Sequence, residues 1–370
     1  RAIGAGMTGP LLGLHLAAGD HEPAFLGMVV GTGLAGAALA ALLVTLGGDR
    51  WGRRNTAAGL CLITGSGGIA VALGGPTWLV LIAAFLGMLN GMGKDRGAIP
   101  VLETAMLPHT TDATGRTGGF ARYTAAQDLG HGLGAVLAGT PSLLLLMMPG
   151  LLAVHATAWS LGLASLLTLL VAPLYLALSP TMERPAHTVA LPLSPEGRRT
   201  IAKLSALFSL DALGGGFITG AAMAYLFTEH FHASPAAIAG LFVVARLLNA
   251  LSHLASAWLA KRIGLINTMV FTHIPSSVLL MTVAIAPNFP IAAILFLLRE
   301  GLVEMDVPTR QSYVMAVVQA HERVAAAGIT ALVRMAGWST GAFLAAPLMA
   351  GAAITTPLVA GAGLKIAYDL

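Results

Sequence analysis

The stretch Gly48-Asp49-Arg50-Trp51-Gly52-Arg53-Arg54 separates two long apolar runs, residues 24–46 and 55–73. Each run is long enough to cross the hydrocarbon core of a bilayer as one helix. Four of the seven residues between them are charged, and three of these four are basic. This pattern predicts a short loop at the membrane surface that joins two transmembrane helices.

The composition of the whole chain agrees with this interpretation. Of the 370 residues, 56% are hydrophobic and only 10% are charged, whereas soluble domains contain about 25% charged residues. The mean hydropathy is +0.81. These values exclude an ordinary soluble enzyme, a disordered chain and a secreted disulfide scaffold. The single cysteine, Cys61, can form neither an internal disulfide nor a thiolate metal site.

The first residues of the sequence are already apolar. The sequence begins with Arg1 instead of Met, and no small-residue cleavage site separates the opening apolar segment from the next one. We therefore expect a retained helix and not a signal peptide. We also expect the true N-terminus to be missing, so that the chain starts inside this first helix.

Eleven polar or turn-forming breaks divide the hydropathy pattern into twelve apolar spans. Several spans contain Gly or Pro, which membrane helices tolerate better than soluble helices do. We therefore predict an all-α integral membrane protein with twelve transmembrane helices. The breaks fall at residues 19–23, 47–54, 74–76, 108–116, 139–150, 179–199, 229–235, 260–264, 286–290, 319–323 and 351–357.

Lysine and arginine lie on one side of this predicted topology. With the N-terminus in the cytoplasm, the outside loops contain no Lys or Arg, only the acids Asp20, Glu22 and Glu229. This asymmetry follows the positive-inside rule and predicts that both termini are cytoplasmic. It also accounts for the calculated pI of 9.5 without a nucleic-acid partner, because basic loops lie beside an anionic leaflet. The predicted cytoplasmic bases are Arg50, Arg53, Arg54, Arg116, Arg184, Arg198, Arg199, Lys203, Lys261, Arg262, Arg323 and Lys365.

The chain divides into two halves that resemble each other. Residues 179–199 form the longest polar stretch and are rich in Pro and charge. They predict a cytoplasmic linker between two six-helix bundles, residues 1–178 and 200–370. Short strings also recur at a shift of about 210 residues, at matching points of the two halves, which predicts a pseudo-two-fold relation between the bundles. The matched strings are residues 49–56 with 261–268 and 100–103 with 308–311.

The loop at residues 48–54 resembles the signature loop of the major facilitator superfamily, which lies between the second and third helices. The resemblance implies twelve helices in two halves and secondary transport by alternating access. It also implies a gating loop made of Asp49, Arg50, Gly52, Arg53 and Arg54, in which Asp49 and Arg53 latch the cytoplasmic ends of the halves. This sequence departs from the family pattern at Thr45, where glycine is usual, and at Lys261, the acidic position of the second copy.

A second motif is weaker. Residues 130–141, a glycine-rich stretch, resemble the fifth-helix motif of proton-coupled exporters in that superfamily, but they lack its central Gly-Pro. Small residues also allow close helix packing, so this stretch favours export only slightly.

Charged residues inside the predicted spans mark the candidate substrate cavity. Each costs at least about 2.5–3.5 kcal/mol at the centre of a helix in lipid, so they are expected to face the protein interior. In the superfamily, the fourth and tenth helices line the cavity, and both carry several charges here. The alternative interpretation is that these charged residues form structural ion pairs and do not bind substrate. The predicted cavity residues are Glu300, Glu304, Gln311, Arg310, Arg96 and Arg246.

Three acids are candidates for proton coupling: Asp211, Glu103 and Asp128. Asp211 lies about ten residues into the seventh span, just before Gly214-Gly215-Gly216, and has no cation within one helical turn. An acid removed from water in this way can exchange protons near neutral pH. Asp128 precedes His131 by three residues, and this histidine is either a proton relay or a packed structural side chain.

No motif for an enzyme, a nucleotide, a metal or another cofactor is present in the sequence. Our first hypothesis is therefore a secondary transporter that exchanges a small molecule for protons, most simply an exporter in a bacterial inner (plasma) membrane. The second is a carrier for a small organic or inorganic anion, clamped by intramembrane arginines. The third is a transport-inactive sensor or scaffold. The expected partners are substrate, protons and the lipid bilayer, and we expect a monomer.

Overall fold

The computed structural model describes residues 1–107, 116–183, 193–319, 322–351 and 353–370. Within these residues the chain forms 17 α-helices, one short 3₁₀ helix at Pro180–Glu183 and no β-strand. The helices are α1 (Ala2–Ala18), α2 (Pro23–Trp51), α3 (Arg53–Leu73), α4 (Thr77–Gly87), α5 (Ala98–Met106), α6 (Arg116–Leu137), α7 (Thr140–Met147), α8 (Ala153–Leu169), α9 (Ala172–Leu176), α10 (Pro195–Gly216), α11 (Gly220–Glu229), α12 (Pro235–Ile263), α13 (Leu265–Val283), α14 (Phe289–Val303), α15 (Asp306–Val317), α16 (Arg323–Gly351) and α17 (Thr356–Asp369).

The all-helical prediction is confirmed, and eight segments are long and apolar enough to cross a membrane. They correspond to the predicted second, third, fifth, sixth, seventh, eighth, ninth and eleventh spans. The other four predicted spans contain shorter helices, namely α1, α4 with α5, α14 with α15, and α17. The predicted linker at residues 179–199 lies partly outside the described residues, and its last part belongs to α10.

Four predicted spans are interrupted instead of continuous, and the sixth of the twelve spans is interrupted at residues 170–171 between α8 and α9. The longest interruption, residues 88–97 between α4 and α5, has positive φ angles at Met88, Gly91 and Gly93. Shorter interruptions separate α10 from α11 at residues 217–219 and α14 from α15 at residues 304–305. Non-helical backbone at membrane depth is tolerated where it is buried in protein or lines a water-filled cavity. These breaks therefore mark the place where a polar site can form.

The internal repeat is visible in the helix bounds. Helices α2 and α12 both contain 29 residues, and each ends at a glycine that starts the next helix. These glycines, Gly52 and Gly264, have φ angles of +84° and +88°, a backbone conformation that favours glycine. The matched strings of the sequence thus fold into matching helix–glycine–helix corners.

Helix packing closes one end of the molecule. Helix α2 packs on α16, α1 on α11, and α6 on α12. At this end, the Tyr225 hydroxyl donates a hydrogen bond to the His21 carbonyl (2.6 Å), and a Cβ on Gly13 would lie 2.1 Å from the carbonyl oxygen of Ala221. By contrast, α5 packs mainly on α2 and α3, and α15 mainly on α12, α13 and α16. A cavity lies among α10–α17, and residues 92, 94 and 96 of the interrupted segment close it on the side of the N-terminal half.

Candidate functional site

The cavity has an empty volume of about 860 Å³, including the part open to solvent, and it is lined where the breaks of the fourth, seventh and tenth spans meet. Its described lining includes seven cationic side chains and four carboxylates, an excess of three positive charges with His273 neutral. The cationic residues are Lys94, Arg96, Arg246, Arg299, Arg310, Arg334 and Lys365, and the acidic residues are Asp211, Glu300, Glu304 and Asp306. The site is therefore polar and positive, in a chain whose composition is mostly apolar.

Two arginines lie against one tryptophan on the cavity wall. The Arg96 Cζ is 4.2 Å from the ring centroid of Trp338, and the Arg334 Cζ is 4.9 Å from it. Both distances are in the range of cation–π contacts. Among the described residues, no carboxylate oxygen lies within 4 Å of the Arg96 guanidinium. The aromatic ring thus holds a half-buried cation where an ion pair would be expected.

Arg246, on α12, binds the interrupted segment of the fourth span. Its Nη2 donates to the backbone carbonyls of Gly93 (3.1 Å) and Met92 (3.4 Å). The described part of the chain places no carboxylate oxygen within 4 Å of this guanidinium either. Because a tight turn brings these carbonyls to the cavity, the glycine-rich break is what positions the arginine.

Glu304 and Glu300, at the break between α14 and α15, have cationic or amide partners. The Lys94 Nζ lies 2.6 Å from the Glu304 Oε1, which joins the interrupted segment to α14. The Asn249 Nδ2 donates to the Glu300 Oε2 (3.1 Å), and Arg299 pairs with the other oxygen. These carboxylates are therefore occupied by the protein itself.

Asp211 is 2% exposed, and cations from three other helices surround it. The Lys365 Nζ lies 2.6 Å from its Oδ1, and the Arg310 and Arg334 Nη1 atoms each lie 3.3 Å from its Oδ2. The His273 Nε2 lies 3.5 Å from the Oδ1. The sequence shows no cation near Asp211 because all four partners come from distant parts of the chain.

His273 connects this cluster to the last helix. Its Nδ1 lies 2.7 Å from the Asp369 Oδ2, and its Nε2 lies 3.4 Å from the Lys365 Nζ. Lys365, which the sequence analysis counts among the cytoplasmic bases, has a side chain that is 8% exposed and pairs with Asp211. The aliphatic stem of a lysine lets it reach inward from a helix end.

The other two predicted proton-coupling acids lie away from the main cavity. Glu103 pairs with Arg1 and accepts hydrogen bonds from the hydroxyls of Tyr123 (2.5 Å) and Tyr175. Asp128 is exposed and borders a smaller cavity of about 290 Å³ next to Arg246.

His131, near Asp128 in sequence, faces the interrupted segment. Its Nε2 accepts a hydrogen bond from the Asp95 backbone N–H (3.0 Å). The geometry therefore places this histidine in a packed structural contact.

Five of the six predicted cavity residues line the cavity: Arg96, Arg246, Glu300, Glu304 and Arg310. The sixth, Gln311, is exposed and does not belong to the described lining. The sequence analysis missed Arg334, Trp338, Lys365 and His273 as site residues. Arg334 and Trp338 are four residues apart on α16, a spacing that places them on one helix face and could have indicated the site.

The predicted gating loop forms the corner between α2 and α3. Arg53 is 4% exposed, and its Nη1 donates to the carbonyl of Ala105 at the end of α5 (2.9 Å). Arg54 donates to the carbonyl of Leu176, and Arg50 is exposed. The side chain of Asp49 lies outside the described residues. The two carbonyl acceptors, those of Ala105 and Leu176, belong to the N-terminal half of the chain.

Comparisons with known proteins agree with this architecture. A family model described as the Major Facilitator Superfamily matches residues 1–342. The uncharacterized membrane protein YJR124C of Saccharomyces cerevisiae is 25% identical over 363 aligned residues, which cover 89% of this chain and 81% of the yeast protein. This relative is eukaryotic, so a bacterial origin stays a prediction.

Two solved transporters have the same fold. The nucleoside transporter NupG superimposes with a TM-score of 0.72 at 14% identity, covering 100% of this chain and 96% of NupG. The human organic anion transporter MFSD10 superimposes with a TM-score of 0.58 at 17% identity, covering 100% of this chain and 97% of MFSD10. At these identities the likeness shows the fold alone. The chain belongs to the Major Facilitator Superfamily, and it is an integral membrane transporter and not an enzyme.

Proposed function

We propose that this protein is a secondary transporter that carries a small organic anion across the membrane by alternating access. The observation that carries the proposal is the excess of three positive charges on the cavity lining. Of the hypotheses drawn from the sequence, the anion carrier fits this charge best. A neutral or cationic substrate would leave the excess uncompensated.

The physical argument rests on the cost of unpaired charge away from bulk water. An ion inside a protein is stable when it is paired and hydrogen-bonded. Arg96 and Arg246 have no carboxylate within 4 Å among the described residues, although both line the same cavity. A bound anion would supply the missing charge and accept their N–H groups, often in bidentate geometry.

We propose twelve spans in two six-helix halves, residues 1–178 and 200–370, with both termini cytoplasmic. The repeat in the helix bounds supports the two halves, and the one-sided distribution of Lys and Arg supports the orientation. In this topology, the closed end at His21 and Tyr225 faces outside and the cavity opens toward the cytoplasm. Broken helices at mid-membrane are a recurrent way of building a transport site.

Proton coupling is a second candidate property, and His273 favours it. This imidazole lies between Asp211 and Asp369 and beside Lys365, so a proton could pass between two carboxylates through one ring. The coupling group would then be the Asp211–His273–Asp369 cluster instead of an isolated Asp211. The further charged groups that face Asp211 are Arg310 and Arg334, and Asp306 pairs with Arg310.

The gating loop keeps its proposed role in conformational exchange. Arg53 donates to the carbonyl of Ala105 and Arg54 to the carbonyl of Leu176, so the corner is tied to the ends of two neighbouring helices, which supports this role. We expect Asp49→Asn to slow transport far more than it weakens substrate binding. Equal loss of both quantities would contradict a gating role.

The test of anion transport is uptake and efflux in liposomes that contain the purified protein. Radiolabelled organic acids are compared with neutral amides of the same size. We expect transport of acids only, and at least a tenfold loss with Arg96→Gln, because a charge-assisted hydrogen bond contributes about 1.5–3 kcal/mol. The matched control is Arg198→Gln, an exposed arginine at the start of α10. Transport of amides but not acids would refute the proposal, and transport of neither would favour a sensor or scaffold.

The same liposomes test proton coupling and direction. A pH gradient of either sign is imposed, and accumulation is measured from both sides, with export by antiport as the expectation from the sequence. His273→Asn should abolish accumulation driven by the gradient while substrate exchange persists, because asparagine cannot carry the proton. The control is His155→Asn, an exposed histidine. Unchanged accumulation in His273→Asn would exclude this cluster as the coupling group.

A further inference from the structure

We propose that the substrate is a dianion, a small molecule with two carboxylate-like groups. One group would bind Arg96 and Arg334 beside Trp338, and the other would bind Arg246. This inference rests on the proposed anion transport and narrows it to one charge class.

The first step is to locate the positive excess. Four of the seven cavity cations each have a carboxylate partner: Lys94 with Glu304, Arg299 with Glu300, Arg310 with Asp306, and Lys365 with Asp211. The excess therefore resides on Arg96, Arg246 and Arg334. Of these three, only Arg334 has a described carboxylate within 4 Å, and it shares that group, Asp211, with Lys365 and Arg310.

The second step concerns the donors that remain available at Trp338. A cation–π contact engages the guanidinium through its charge over the ring and leaves the N–H groups at its edge free. The buried Arg334 Nη1 lies 3.3 Å from the Asp211 Oδ2 but forms no hydrogen bond with it, and Asp211 also serves Lys365 and Arg310. Arg96 and Arg334 thus present unused donors next to one ring, the arrangement that suits a single planar carboxylate.

The third step concerns the distance to the second group. Arg246 uses only its Nη2 for the carbonyls of Met92 and Gly93, so its other N–H groups can serve a ligand. Gly93 is three residues before Arg96, a separation of at most about 10 Å in extended chain. Both arginines therefore face one cavity from anchors on the same short segment, and two anionic groups on a short linker can reach both.

The fourth step excludes a monoanion as the best fit. A single carboxylate at Trp338 would neutralise the charge there and leave Arg246 unpaired in the cavity wall. A second negative group removes that cost.

The experiment measures binding to the purified full chain in detergent at pH 7.5. The probes are succinate, glutarate and adipate, each with its monoamide and its diamide, which keep length and shape while changing the charge from −2 to −1 to 0. We expect one dicarboxylate to bind at least tenfold more tightly than its monoamide, which corresponds to about 1.4 kcal/mol. Arg246→Gln should remove that preference and keep the monoamide affinity within about threefold, whereas Arg198→Gln should change neither.

The outcomes separate this inference from the proposed function. Equal affinity for dicarboxylate and monoamide, with weaker binding of the diamide, would overturn the dianion and leave anion transport intact. Binding of the diamide as well as the two acids would overturn both. If none of the nine probes binds, the proposal that the substrate is a dicarboxylate would also be overturned. The comparison of probes on the unaltered protein needs no variant, so a variant that fails to fold leaves the test valid.

Discussion

Asp211→Asn should destabilise the protein strongly, although it removes only one negative charge. Asp211 is the shared counter-ion of Lys365, Arg310 and Arg334, at 2.6, 3.3 and 3.3 Å. All four groups are buried or nearly so. An asparagine can still accept a hydrogen bond, but it leaves three cations next to one another without the anion that holds them.

The magnitude follows from these distances. With an effective dielectric constant of about 20, the attraction between unit charges is about 6 kcal/mol at 2.6 Å and about 5 kcal/mol at 3.3 Å. The cost of keeping the ions away from water offsets most of this gross attraction. Removing one partner of a buried ion pair typically costs about 3–5 kcal/mol, and we expect Asp211→Asn to fall in this range.

A double-mutant cycle makes the argument quantitative. Lys365→Met should cost less, about 1–2 kcal/mol, because Asp211 keeps two arginines and one buried charge disappears. In the double variant, Lys365→Met should recover at least about 1 kcal/mol of the loss caused by Asp211→Asn, since it removes one of the uncompensated cations. The free energy of unfolding is measured by titration with SDS in mixed micelles. The control is Glu229→Gln, an exposed acid that should change this free energy by less than about 0.5 kcal/mol.

Two results would refute this reasoning. A loss below about 1 kcal/mol for Asp211→Asn would mean that the carboxylate is not the shared counter-ion. Strict additivity in the double variant would mean that Asp211 and Lys365 do not interact.

Three further outcomes test the topology, the closed end and the repeat. Glu229→Cys should react with an impermeant thiol reagent added outside intact cells, whereas Arg198→Cys should not; the reverse labelling would contradict the orientation. Gly13→Leu should loosen the closed end, because its Cβ would lie 2.1 Å from a carbonyl oxygen of α11. In variants with one cysteine introduced into the cavity, an impermeant thiol reagent should then react faster when Gly13→Leu is present than when the control Gly240→Leu is present. A Cβ at Gly240 would have no atom within 4 Å. Gly52→Ala should lower the free energy of unfolding by about 1–3 kcal/mol in SDS titration, because a φ of +84° strains any residue other than glycine. An unchanged free energy of unfolding would contradict the need for glycine at this corner.

The membrane fold could be predicted because its determinants are local in sequence. Apolar length and the position of Lys and Arg depend only on the bilayer, and they do not require knowledge of which helices touch. The match of residues 49–56 with 261–268 is also local in sequence, and both strings fold at a helix–glycine–helix corner. The broken fourth, seventh and tenth spans were not predicted, since hydropathy averages over a window and does not register a change of backbone direction.

The electrostatic pattern of the site could be predicted only in part. Cavity residues such as Arg96 and Glu304 were found because a charge in an apolar span must face the interior. Their partners were not found, because the pairing depends on helix packing: Asp211 meets Lys365, which is 154 positions away. Sequence separation therefore hid the fact that Asp211, a deeply buried acid, is paired with three cations.

The interrupted segment at residues 88–97 carries cations of the cavity wall and also contacts the C-terminal half of the chain. It reaches the C-terminal half through three links: Lys94 to Glu304, Arg246 to the Gly93 carbonyl, and the Ala221 N–H to the Gly91 carbonyl (2.7 Å). The first two links involve cations of the cavity wall, and Arg96 extends from the same segment. A ligand drives a conformational change only through its different affinity for the two states. An anion bound to Arg96 and Arg246 would stabilise whichever state brings these groups together, so the positive excess that selects the substrate would also couple its binding to alternating access.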